Sequence, residues 1–194
     1  MSSRVTIGIF VGGKGMRMGG VAKGLLPAPH GGETLVARLQ RQCAHAAPNA
    51  ALYLVGQAAP YAALGLPQLH DDPVDVGPIG GLRALLLRAQ TDRSALALAL
   101  ACDLPFLDAS VISELILPTS AAARVPFVEA RLQPLAAAYA PSATLSAVDR
   151  ALELGQHALM RVLDQLGASL ERIEFDDERA HSLRDWDTPE DMQR

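Results

Sequence analysis

Ala95-Leu96-Ala97-Leu98-Ala99-Leu100-Ala101 runs directly into Cys102-Asp103-Leu104-Pro105, and it admits two readings with opposite consequences. Alanine and leucine are strong helix formers, yet strict alternation over seven residues has the period of a strand. Asp103, Pro105 and a new helical pattern after Asp108 close the run abruptly, so the alternation predicts the central strand of a sheet. Working outward, Val5 to Val11 (VTIGIFV) is a nearly continuous β-branched run, as in a strand buried on both faces. Ala51–Val55 and Gln68–His70 read as two further strands. Helical spacing marks Glu33–Ala47 and Gly80–Gln90. Arg124–Glu129 and Gln133–Tyr139 read as strands joined by a turn near Ala130 and Arg131. A helical pair, Ala143–Leu154 and Ala158–Leu166, precedes a last strand at Leu170–Phe175. Thr188-Pro189-Glu190-Asp191 has the form of a capped helix start. Strands alternating with helices predict an α/β fold with a mostly parallel central sheet, in one domain over residues 1–194.

Composition narrows the function. Apolar residues make up 49% and charged residues 20%, which is globular. A formal charge of −4 argues against a broadly basic nucleic-acid-binding surface. Cys43 and Cys102 are too few for a disulfide framework or a cysteine zinc site. The apolar run after Arg4 is too brief for a signal peptide, and none is long enough to span a membrane. These features predict a cytoplasmic protein that works without nucleic acid or membrane.

Ligands of open α/β sheets bind beyond the carboxyl ends of the strands, which directs attention to the loops after Val11, His70 and Cys102. The first is Gly12-Gly13-Lys14-Gly15-Met16-Arg17-Met18-Gly19-Gly20. Its glycines let successive N–H groups converge on an anion, and Lys14, Arg17 and Lys23 add three cations. Of 17 basic residues only two are lysine, and both fall here; lysine is a compact point charge suited to phosphate oxygens. Gly8-x4-Gly13-Lys14 approaches a P-loop, but Gly15 stands where its magnesium-binding hydroxyl belongs. A dinucleotide fingerprint needs an acidic residue at the end of the second strand, and Val55-Gly56-Gln57 has none. The loop therefore reads as a cradle for several phosphates.

Asp103, at the carboxyl end of the central strand, is placed to hold Mg²⁺, which takes one or two carboxylates plus phosphate oxygens. Asp108 reads as a helix cap. Asp71 precedes Gly77-Pro78-Ile79-Gly80-Gly81, where glycines at a helix start would let backbone pack closely on a nucleoside. Asp72-Pro73 reads as a turn. Asp185-Trp186-Asp187 offers a second metal ligand or a cap for the helix begun at Thr188. The five histidines show no metal-ligand spacing. Neither cysteine has a catalytic setting, and no serine sits in a nucleophile elbow. Phosphoryl or nucleotidyl transfer requires none of these, because positioning and charge neutralisation carry it.

Gly12-Gly13-Lys14-Gly15-x-Arg17-Met18-Gly19-Gly20-x-x-Lys23-Gly24-Leu25-Leu26 resembles the signature loop of the molybdenum cofactor guanylyltransferases, the MobA-like nucleotidyltransferases. Gly77-Pro78-Ile79-Gly80-Gly81, Cys102-Asp103-Leu104-Pro105-Phe106-Leu107, Gln133-Pro134-Leu135 and Asp187-Thr188-Pro189-Glu190-Asp191 look like that family's later motifs, in order along nearly the whole chain. The resemblance implies a Rossmann-like three-layer nucleotidyltransferase fold. It implies transfer of GMP from Mg·GTP to the terminal phosphate of molybdopterin or Mo-molybdopterin, with release of pyrophosphate. Carried over, Val11, Gly12, Gly13, Lys14 and Gly15 would contact the nucleotide, and Arg17 and Lys23 would bind and activate its triphosphate. Asp71, Gly77 and Pro78 would hold the guanosine. Asp103, with Asp187, would bind the metal. Arg131 and Gln133 are candidates for the pterin by position, and a cofactor-delivery or molybdoenzyme chaperone partner is implied. Two features depart from the pattern. Many guanylyl members carry Asn-x-Asn where this chain has Asp185-Trp186-Asp187, the form of cytidylyl relatives, and the second strand lacks the nearby Asn that Gln57 would replace. Cytidylyl transfer from CTP, and an inactive nucleotide-binding accessory protein, are the rival readings.

Overall fold

The computed structural model describes residues 4–12, 22–29, 31–56 and 59–186. In chain order the elements are β1 (Val5–Phe10), α1 (Leu35–Ala46), β2 (Ala51–Val55), β3 (Gln68–Leu69), α2 (Pro78–Thr91), β4 (Leu96–Ala101) and α3 (Ala109–Leu115). Then follow β5 (Ala123–Val128), β6 (Arg131–Leu132), β7 (Ala136–Tyr139), α4 (Pro141–Glu153), α5 (Leu159–Leu166), β8 (Leu170–Glu174) and α6 (Asp177–Ser182). Among the described residues the strands form one sheet in the order β3-β2-β1-β4-β7-β5-β6, with β8 also paired to β5. β1 runs parallel to both β2 and β4, β2 to β3, and β5 to β8. Only β7, antiparallel to β4 and β5, and the short β6 reverse direction. The fold is α/β with a mostly parallel central sheet between two helical layers.

The alternation in β4 divides the core between those layers. Leu96, Leu98 and Leu100 enter one cluster with Val36, Leu39 and Cys43 of α1 and Val111, Ile112 and Leu115 of α3. Ala97 and Ala99 face the other side, against Ile79, Leu82, Leu85, Leu86 and Ala89 of α2. Large residues on one face fill the space to α1 and α3, and small ones on the other let α2 lie close. Gly8 continues the small stripe onto β1: a Cβ there would stand 2.9 Å from both Leu85 Cδ atoms and 2.8 Å from Val55 Cγ2. Gly8 thus serves packing from the middle of a strand. Leu82, Leu85 and Leu86 are at most 1% exposed, and burying each contributes about 1.5–3 kcal/mol.

Local chemistry sets the helix ends. Thr34, one residue after the expected start, caps α1 through its Oγ1, which accepts from Ala37 N. Asp108 caps α3, its Oδ1 accepting from Ser110 N at 2.9 Å and Val111 N at 3.0 Å. Burial pushes the Asp108 pKa up, but the hydrogen bonds from Ser110 and Val111 outweigh it and hold the carboxyl below its usual range. Asp108→Ala is expected to cost about 1 kcal/mol, or roughly 2–4 °C in melting temperature; an unchanged melting curve would deny the cap. α2 begins at Pro78, two residues before the expected Gly80, because Gly77 occupies the N-cap with φ 77° and proline suits the first helical position.

One expected strand is divided. Val128 pairs with Arg131 across a turn at Glu129 and Ala130, both with positive φ, and the chain leaves the ladder after Gln133, whose N–H still donates to Pro126 O at 2.9 Å. Pro134 has no N–H to donate, and Ala136 N donates to Gln133 O in a turn, so β7 starts only at Ala136. α6 was not expected from the sequence; Asp176 caps it by accepting from Arg179 N. The expected helix from Thr188 lies outside the described residues. No helix among the described residues is long and apolar enough to cross a membrane.

Candidate active site

Because β3, β2, β1 and β4 are neighbours and parallel, their carboxyl ends share one edge of the sheet. Asp71 follows β3, Gly56 ends β2, Val11 and Gly12 end β1, and Cys102-Asp103 end β4. Three inter-strand steps of about 4.8 Å span roughly 14 Å, a length suited to an extended nucleoside triphosphate. The sequence-derived candidates Val11, Gly12, Lys23, Asp71, Gly77, Pro78 and Asp103 are described. Gly13, Lys14, Gly15, Arg17, Gln57 and Asp187 lie outside the described residues.

The β1 and β2 ends are held in backbone contact. Val11 N donates to Val55 O at 3.0 Å, and Gly56 N to Leu69 O at 3.0 Å. Gly56 has φ 100°, and a Cβ on it would lie 3.1 Å from both N and Cα of Gly12. Only glycine meets both demands, and the close approach exposes main chain along the edge. Gln68 Nε2 donates to Gly56 O at 2.5 Å, fixing the same turn from β3.

At the β3 end, Asp71 sits over the first turn of α2. A Cβ on Gly81 would be 3.1 Å from Asp71 Oδ1, and 2.8 Å from Phe10 and Val55 side chains. Asp72 N donates to Gly80 O, and Gly80 N to Gly77 O, so α2 starts against the Asp71 loop. Burial pushes the Asp71 carboxyl up; His70 pulls it down and Asp75 raises it further, with a net rise. Asp72 pairs instead with Arg83, which also binds Asp149 of α4 at 2.7 Å. This agrees with the turn reading of Asp72-Pro73.

At the β4 end, Lys23 Nζ donates to Asp103 Oδ2 at 2.9 Å, with the two side chains 18% and 19% exposed. Eighty residues of sequence separate these groups. Lys23 starts a 3-10 turn (Lys23–Leu25) that is wedged in place, since a Cβ on Gly24 would collide with Val36 and stand 2.9 Å from Tyr61 Cε1. Gly24→Ala is accordingly expected to lower nucleotide affinity and melting temperature together, as measured by thermal shift; a neutral result would refute the wedge. Trp186 N donates to Asp103 O at 3.0 Å, and the indole is buried beside Ala28, Leu35 and Phe106. Asp185 and Trp186 are thereby brought next to Asp103. Gln133-Pro134-Leu135 abuts the same edge, with Ala101 N donating to Leu135 O at 2.7 Å.

No group of three His, Cys, Asp or Glu side chains that could hold a metal occurs among the described residues. A single partly exposed carboxylate at Asp103 fits Mg²⁺, whose remaining positions go to phosphate and water, and it does not fit a closed zinc or calcium cage. Arg131 is exposed on the β5–β6 hairpin and Gln133 half-buried behind it.

Residues 7–170 match the MobA-like NTP transferase domain. A molybdenum cofactor guanylyltransferase of Cereibacter sphaeroides is 30% identical over 96% of this chain and 92% of its own length. The chain belongs to the MobA-like NTP transferase family. Ralstonia pickettii and Pseudomonas fluorescens proteins of the same description are 37% and 34% identical over 59% and 55% of the chain. These two alignments span only about half of those relatives, 54% and 52%. The fold agrees with the family. Molybdopterin-guanine dinucleotide biosynthesis protein A of Archaeoglobus fulgidus superposes with a TM-score of 0.77 over 98% of this chain and 95% of its own, at 22% identity. A 2-C-methyl-D-erythritol 4-phosphate cytidylyltransferase of Thermus thermophilus gives 0.65 over 96% and 94%, at 17% identity. This MobA-like chain is a nucleotidyltransferase.

Proposed function

We propose that this chain, acting as one domain, transfers GMP from Mg·GTP to the terminal phosphate of molybdopterin or Mo-molybdopterin. The carrying observation is the Lys23–Asp103 pair at the β4 end, beside the main chain of Val11 and Gly12. The acceptor phosphate oxygen attacks the α-phosphorus of GTP, a new P–O–P link forms, and the α–β bond breaks to release pyrophosphate. The nucleophile is already an anion, so no side chain has to remove a proton from it. The need is to place two polyanions together and offset their charge. Lys23, with Lys14 and Arg17 of the glycine loop, supplies cationic donors to the triphosphate. Asp103, assisted by Asp187, would hold Mg²⁺, and the ion would supply positive charge that offsets the charge of the triphosphate.

Asp71, Gly77 and Pro78 take the nucleoside at the β3 end of the edge. A carboxylate is acceptor-only and can receive two donors, matching the N1–H and N2–H₂ of guanine, whereas cytosine offers only its N4 amino group. Asp185, beside Asp103 through Trp186, favours the cytidylyl reading as the second choice. GTP being a cytoplasmic nucleotide, the reaction belongs in the cytoplasm, with a molybdoenzyme chaperone as the natural recipient of its product.

Thermal stabilisation by GTP, CTP, ATP and UTP, each with Mg²⁺, tests the choice. A nucleotide at 100 times its dissociation constant adds about 2.7 kcal/mol, which is roughly 5–11 °C at about 2–4 °C per kcal/mol. A shift with GTP alone is expected. A shift with CTP alone would replace the guanylyl reading by the cytidylyl one, and no shift with any would contradict both.

A further inference from the structure

Tyr61 lies in a 3-10 turn between β2 and β3 (Ala59–Leu64), outside every motif that the sequence marks. It is 2% exposed. Its hydroxyl accepts from Gly24 N at 3.2 Å, and Cys102 packs in the same core cluster. Gly24 is the residue after Lys23, and Cys102 is the residue before Asp103. One buried tyrosine therefore bonds the immediate neighbour of Lys23 and packs in one cluster with the immediate neighbour of Asp103. The ring fills the space that a Gly24 side chain would need, and Tyr61 and Cys102 share the same core cluster. Cys102 is itself fixed from the other side, its N–H donating to Phe10 O at 3.1 Å.

We propose that Tyr61 is a positioning residue for the triphosphate site, holding the Lys23 turn at its working distance from Asp103 through its hydrogen bond from Gly24 N and the packing of its ring against that turn. The inference rests on the assignment of Lys23 and Asp103 to a triphosphate, whichever base that triphosphate carries. A deep core tyrosine with a merely structural role would affect stability alone. A positioning tyrosine acts through Lys23, so its effect must vanish when the lysine is absent.

The test uses the full chain and measures affinity for Mg·GTP, Mg·CTP and free guanosine in four proteins: wild type, Tyr61→Phe, Lys23→Ala and the double variant. Phenylalanine keeps the ring and its packing, so Tyr61→Phe should fold. Tyr53→Phe is the control, because Tyr53 also loses a part-buried hydrogen bond, to Asp92 at the opposite edge of the sheet. Tyr61→Phe is expected to weaken binding of whichever triphosphate the wild type prefers by about tenfold. Guanosine affinity should stay unchanged, and no further loss should occur in the Lys23→Ala background. Tyr53→Phe should leave triphosphate affinity at the wild-type value. Triphosphate affinity unchanged by Tyr61→Phe, or an equal loss with and without Lys23, would overturn the positioning role alone. A wild type that binds neither triphosphate would overturn it together with the proposed function.

Discussion

Asp103→Asn is expected to lower pyrophosphate release by about a hundred- to a thousandfold, in line with removing a group that stabilises transition-state charge in a water-poor site. The exchange is nearly isosteric and the backbone bond from Trp186 N to Asp103 O needs no side chain, so the β4 end should keep its shape. What changes is charge. Asparagine gives Mg²⁺ a neutral oxygen in place of a carboxylate, and it leaves the Lys23 ammonium without the anion that it meets at 2.9 Å. Lys23 then turns wholly to the triphosphate, so nucleotide affinity should survive while turnover collapses. Pyrophosphate release at saturating Mg·GTP and acceptor, beside a thermal-shift titration with GTP, separates the two. Turnover near the wild-type rate would remove Asp103 from the metal site.

Lys23→Ala carries the second large effect. An ammonium bonded to phosphate oxygens contributes about 1.5–3 kcal/mol as a charge-assisted hydrogen bond, so triphosphate affinity should fall roughly 10- to 100-fold. Guanosine, which carries no phosphate, should bind as before, because Asp71 and the start of α2 lie at the other end of the four-strand edge. The contrast between the two ligands is the informative quantity. Equal losses for GTP and guanosine would mean that Lys23 merely supports the fold.

Much of this architecture is legible in the chain because burial writes itself into alternation and periodicity. ALALALA encodes both that β4 is a strand and which face is thick, although only the packed structure shows that its alanines make room for α2. Asp103 and Lys23 were marked by type and setting, a carboxylate at a strand end and one of two lysines in an arginine-rich chain. Their direct bond was not legible, since nothing local encodes a contact across eighty residues. Tyr61 was missed for the same reason. Its neighbours come from the Lys23 turn and the β4 end, and its own segment has no motif; the one available signal was one of three tyrosines in an aromatic-poor chain. The division of the expected Gln133–Tyr139 strand depends on the chain leaving the ladder at Pro134, a tertiary choice that the apolar run from Leu135 conceals. Gly24 read as part of a phosphate loop, whereas it is a packing glycine that wedges the lysine into place.

Incubation of the protein with Mg²⁺, molybdopterin and GTP labelled at its α-phosphorus tests the central claim most directly. The label should appear in a molybdopterin–guanine dinucleotide, with unlabelled pyrophosphate released in equal amount, and α-labelled CTP should leave the acceptor unlabelled. Label reaching the acceptor from CTP but not GTP would contradict the guanylyl assignment. Label remaining in the free nucleotide under every condition would contradict nucleotidyl transfer to this acceptor altogether.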